Sequence, residues 1–113
     1  MKLFDIINRY YESSSSGTEQ YRTAKRQFKS LMKKIFNDCQ IIIDSCPHFE
    51  FSGFVKKEDK YVYFSFGDLR WKSNMLVRAA KHDKDWTGGS NNFVNYNEGF
   101  DENFRDKVKQ LLS

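Results

Sequence analysis

The sequence predicts a single α+β domain, and two observations predict it. The spacing of apolar residues changes from about four to two near His48, and the helical and strand-like segments are segregated rather than alternating. The expected order is two N-terminal helices, the second long and amphipathic, then a three- to four-stranded antiparallel sheet and a C-terminal helix. A chain of 113 residues most economically makes one domain spanning 1–113. That length buries a core without disulfide staples, and eleven Phe let a few large side chains carry much of it.

Each element follows from local chemistry. Leu3, Phe4, Ile7 and Tyr10 or Tyr11 recur at helical spacing, which predicts a short helix over 3–12. "SSSSG" at 13–17 ends it, because serine competes for backbone hydrogen bonds and glycine permits turn dihedrals. Thr18 is the expected N-cap of the second helix, with Glu19 in its first turn. Tyr21, Ala24, Phe28, Leu31, Ile35, Cys39 and Ile42 form its apolar stripe, widened by Met32 and Phe36. The β-branched run at 41–44 frays that helix or begins a strand, and Pro47 disfavours helical geometry at Cys46.

Beyond His48, "FEFSGFV" and "KYVYFSF" alternate around the polar turn "KKED". Tyr61, Tyr63 and Ser65 are expected on one face, with Val62, Phe64 and Phe66 on the other. "GDLRWKSN" connects to a third strand, "MLVRAAKH"; "DKDWTGGSNN" is a loop, and "FVNY" at 93–96 is the optional fourth strand. Short polar connections make these strands an antiparallel meander. Asp101 is the expected cap of a last helix carrying Phe104, Val108, Leu111 and Leu112 on one side. An α-β-β-β-α order resembles double-stranded-RNA-binding domains in topology alone. Their Gly- and Lys-rich stretch before the last helix is replaced here by the acidic "NEGFDENF", so no family is assigned.

Charge is distributed unevenly. The net charge is +4, and residues 20–34 hold six basic residues and no acid. Arg22, Lys25, Arg26, Lys29, Lys33 and Lys34 would make a cationic ridge roughly 20 Å long, at about 1.5 Å per residue. A face kept merely soluble would usually mix signs. Five or six phosphate contacts along it would give a log affinity falling with log salt at a slope of about −5. Arg70, Trp71 and Lys72 add a second basic group in which an aromatic ring is free to stack on a base or fold onto the core. Trp86 with Gly88 and Gly89 poses the same choice, between close backbone approach to a ligand and ordinary turn chemistry.

Other chemistries find less support. Among the four zinc-type side chains, Cys39, Cys46, His48 and His82, six residues separate the two cysteines, outside the usual two-to-four gap, and Cys39 falls on the apolar stripe. No metal and no cofactor is expected. "EDK" at 58–60 echoes the carboxylate–lysine element of a magnesium-dependent nuclease, but it falls in a turn with no rigid strand to fix ligand geometry. His82, Asp83 and Asp85 offer a base with a carboxylate orienter, or simply the soluble end of a strand. "MKLFDIINRYY" lacks signal-peptide architecture and no apolar run approaches a membrane span, so free thiols in a reducing cytoplasm are expected.

The function these readings predict is that of a small non-catalytic binding protein whose basic helix face engages an anionic partner, nucleic acid first. The site would comprise Arg22, Lys25, Arg26, Lys29, Lys33 and Lys34, with Arg70, Trp71 and Lys72 as helpers. Phosphate contacts of this kind position a ligand without reading its sequence. The alternative is a protein-interaction module, an inhibitor or accessory factor of mobile-element type, whose basic helix meets an acidic protein surface. A magnesium-dependent nuclease is the third. The chain is expected to be a monomer or a homodimer paired through an exposed strand edge.

Overall fold

The structure, a computed structural model, describes residues 2–7, 18–43, 50–68, 74–85 and 89–113. Helical residues 3–7 (α1) and the helix Thr18–Ile35 (α2) precede five strands, Gln40–Ile43 (β1), Glu50–Lys57 (β2), Lys60–Asp68 (β3), Met75–Ala80 (β4) and Asn92–Val94 (β5). The helix Phe100–Leu112 (α3) closes the chain. All five strands form one antiparallel sheet in the order β1-β2-β3-β4-β5.

The α+β class and the meander match the expectation, while the strand count does not. The added strand is β1, where the helical stripe was expected to run on through Cys39 and Ile42. Helix α2 stops at Ile35; a last helical bond joins Phe36 N–H to the Met32 carbonyl, and Cys39 N–H turns back to Phe36. Ile41, Ile42 and Ile43 then pair with Val55, Phe54 and Gly53. Three β-branched residues lose side-chain freedom in a helix but pack well on a pleated surface. With a strand beside the central three on either side, the order also departs from that of a double-stranded-RNA-binding domain. Strand β5 is Asn92–Val94, one residue earlier and shorter than expected. Thr18 is the first helical residue rather than the cap before it. Residues 8–12 of the expected first helix lie outside the described residues.

Alternation divides the sheet into two faces. Ile41, Val55, Val62, Phe64, Met75, Val77 and Val94 point inward, into a core completed by Leu3, Ile6 and Ile7 of α1, by Phe28 and Met32 of α2, and by Phe100, Phe104 and Val108 of α3. Helix α3 lies against β3, β4 and β5, and α2 against β1. Aromatic rings tie the layers: Phe64 sits 6.1 Å from Phe28 and 6.0 Å from Phe104, whose ring also meets Phe36 edge-on at 6.0 Å. The opposite, outer face carries Phe54, Lys56, Tyr61, Tyr63, Leu76, Arg78 and Phe93. The side chain of Phe66 lies outside the described set.

The β2–β3 hairpin turns through Glu58 and Asp59 alone, and Glu58 adopts φ 58°. A non-glycine residue there is strained by about 1–2 kcal/mol. Asp101 was expected to cap α3, but it lies within that helix, after Gly99 at the N-cap position, which makes no side-chain cap bond. Its carboxylate serves the N-terminus of α1 instead.

Candidate nucleic-acid interface

Helix α2 forms because its sequence is rich in residues that lose little rotamer freedom in a helix, Arg, Lys, Gln, Leu and Met, and contains no β-branched run before Ile41. Its inward stripe is Ala24, Phe28 and Met32, all buried, with Leu31 and Ile35 half-buried beside them. Arg22, Arg26, Lys29 and Lys33 fall at i, i+4, i+7 and i+11. At 3.6 residues per turn these positions occupy an arc of about 60° and a rise of about 16 Å, on the side away from the core. All four are exposed, as is Lys34 on one flank, while Lys25 on the other flank is half-buried.

Among the described residues, no carboxylate pairs with Arg22, Arg26, Lys29, Lys33 or Lys34; Asp38, the next acid after the ridge, is held 2.9 Å from Lys57. Arg26 Nη2 donates to the Thr23 hydroxyl at 3.4 Å, a neutral acceptor that leaves its charge free. Like charges spaced four apart, Arg22 with Arg26 and Lys29 with Lys33, each cost an isolated helix about 0.2–0.5 kcal/mol. Lys33 and Lys34 recover part of this by lying at the negative end of the helix dipole. Arg22, Arg26, Lys29 and Lys33 thus lie along one line of the helix with no carboxylate paired to them among the described residues.

The remaining expected site residues divide into two groups. Arg70, Trp71 and Lys72 lie outside the described residues, as do Trp86, Gly88, Cys46 and His48. Gly89 takes φ 81°, with its Cα turned so that a Cβ would stand 2.5 Å from the Ala79 carbonyl oxygen; turn geometry and close approach of β4 account for it. Glu58 and Asp59 stand exposed at a hairpin tip. In the 81–85 turn, Asp85 Oδ2 accepts the Lys81 N–H at 2.9 Å and His82 Nδ1 accepts the Lys84 N–H at 3.1 Å. These side chains are engaged with their own backbone. No cluster of three or more metal-ligating side chains occurs among the described residues.

Cys39 is half-buried against the core and lines a cleft of about 200 Å³ with Asp38, Lys57, Lys109 and Leu112. Burial, and then the hydrogen bond its thiol donates to Asp38 Oδ1 at 3.3 Å, push its pKa up to about 11. Asp38 itself is held below the usual carboxylate value by the Lys57 ammonium and by that thiol. The thiol therefore stays protonated at neutral pH, as a packing group rather than a nucleophile.

One residue of chemical interest escaped the sequence reading. Arg78 lies in mid-strand within "MLVRAA", 7% exposed, with its guanidinium 4.7 Å from the Tyr63 ring centroid. The signal was available: period-two alternation places Arg78 opposite Val77 on the sheet, and an arginine in a central strand position needs a partner for its donors. Among the described residues, no helix is long and apolar enough to cross a membrane. No family model, no curated protein and no solved structure matches the chain.

Proposed function

We propose that this chain is a small non-catalytic nucleic-acid-binding protein that grips the phosphate backbone with the outward ridge of α2. The observation that carries the reading is the exposure of Arg22, Arg26, Lys29 and Lys33 along one line of the helix, with no carboxylate among the described residues to neutralise them. Successive turns of a helix offer a cation roughly every 5.4 Å, a spacing commensurate with phosphates along a strand. Such contacts yield affinity through counterion release and carry no base information, so binding is expected to be indifferent to sequence. The free Cys39 thiol fits action in a reducing compartment such as the cytoplasm.

The test is a titration against labelled single- and double-stranded DNA and RNA at two salt concentrations. Four or five contacts predict a slope of log affinity on log salt of about −4. Reversing Arg26, Lys29 and Lys33 to Glu should abolish binding at moderate salt. Absence of binding at low salt would remove nucleic acid as the partner and turn attention to an acidic protein surface, for which co-purification is the assay. Magnesium-dependent cleavage lost on Glu58→Gln would instead point to an enzyme.

A further inference from the structure

The outer face of the sheet, on the side opposite the helices, holds a buried cation whose hydrogen-bonding edge meets no acceptor among the described residues. Arg78 is 7% exposed, and its Nε and Nη2 are both shut off from water, with no hydrogen-bond partner among the described residues. These two atoms are not an arbitrary pair. In a planar guanidinium the Nε–H and one Nη2–H run side by side and form the fork that donates to two oxygens of a single carboxylate or phosphate. Tyr63, its cross-strand neighbour, lies under the guanidinium at 4.7 Å and holds its plane. Leaving charged donors desolvated and unpaired is costly, so a fold that keeps this arrangement keeps it against its own stability.

We propose that Arg78 is the receptor for a phosphate group, bound through Nε and Nη2 on the outer sheet face with Tyr63 as its platform. Charge favours a dianion. Lys56, two strands away on the same face and 5.3 Å from the Tyr61 ring, adds a second positive charge, and no acid stands among the described outer-face side chains. The site is separate from the helix ridge, which points away from the other side of the sheet. It therefore stands or falls independently of the backbone-binding reading. Because the donor edge is closed to water in the free chain, the phosphate enters only as neighbouring side chains give way.

Arginine side-chain NMR reads this contact directly. With the Arg78 Nε–H assigned through the bonds of its own side chain, inorganic phosphate added to the full chain should move that resonance saturably and slow its exchange. Sodium chloride or acetate at matched ionic strength should leave it in place. Arg78→Lys keeps the charge and removes the fork, and should weaken phosphate binding by about tenfold or more; charge reversal of Lys29 and Lys33 should leave it unchanged. A 5′-phosphorylated oligonucleotide compared with the same strand lacking the terminal phosphate distinguishes a nucleic-acid end from a free phosphate ester as source. An Arg78 resonance indifferent to phosphate would overturn the assignment. An equal response to acetate would overturn the preference for phosphate. If Arg78→Lys fails to fold, the wild-type resonance still decides the matter.

Discussion

Asp101 caps a helix that begins 98 residues earlier: its Oδ2 accepts the Leu3 N–H at 2.8 Å, and its Oδ1 accepts the Phe4 N–H at 3.0 Å. One carboxylate in the first turn of α3 thus satisfies two otherwise orphaned donors at the start of α1. It also ties Leu3, Ile6 and Ile7, each 1% exposed or less, into the core. Asp101→Ala should cost about 1–2 kcal/mol. Asp101→Asn, which keeps one acceptor and loses the charge, should cost less. Urea denaturation measures both, and an unchanged midpoint for the alanine variant would contradict the cap.

Strand β1 depends on a glycine. Gly53 pairs with Ile43, and a Cβ at this position would overlap the Ile42 carbonyl oxygen. The obstruction is backbone, so it cannot swing aside as a flexible side chain would. Gly53→Ala should destabilise by about 1–3 kcal/mol, the range of an overpacked core. Hydrogen exchange should show the loss first in the amides of β1 that bond to β2.

Binding and stability should trade against each other on α2. Lys29→Glu replaces a repulsion with an attraction to Lys33 four residues on, and should stabilise the fold by about 0.2–0.5 kcal/mol. The same change removes a central charge from the ridge and should weaken nucleic-acid binding and flatten its salt dependence by about one unit of slope. A variant that becomes both less stable and weaker in binding would show that Lys29 has a structural partner instead.

Alkylation of Cys39 reports its protonation. With its pKa pushed from the ordinary 9.0 to about 11, first by burial and then by Asp38, the reaction with iodoacetamide should be slow at neutral pH and climb until about pH 11. Asp38→Asn should move that midpoint down without restoring the ordinary value, because burial remains. The shift also enters stability. The folded state holds its proton more tightly than the unfolded state, so this contribution is whole below pH 9.0 and is lost as pH rises towards about 11. Peptide mapping separates Cys39 from Cys46.

By itself the sequence determined the elements whose bonding is local. The stripe of Ala24, Phe28, Met32 and Ile35 and the opposing line of Arg22, Arg26, Lys29 and Lys33 are legible because a helix satisfies its backbone within four residues, and period alone sets the face. The alternation of Val62 and Phe64 with Tyr61 and Tyr63 was legible for the same reason. Tertiary structure alone decided what depends on a distant partner. Gln40–Ile43 could extend a helix or start a strand until β2 offered an edge to pair with. Asp101 could cap its own helix until Leu3 and Phe4 were brought beside it. Alternation gives the face on which Arg78 lies; only the folded sheet buries its guanidinium over Tyr63 and leaves its donor edge without an acceptor among the described residues. Periodicity records which way a side chain points, whereas burial and pairing belong to the segments that fold against it.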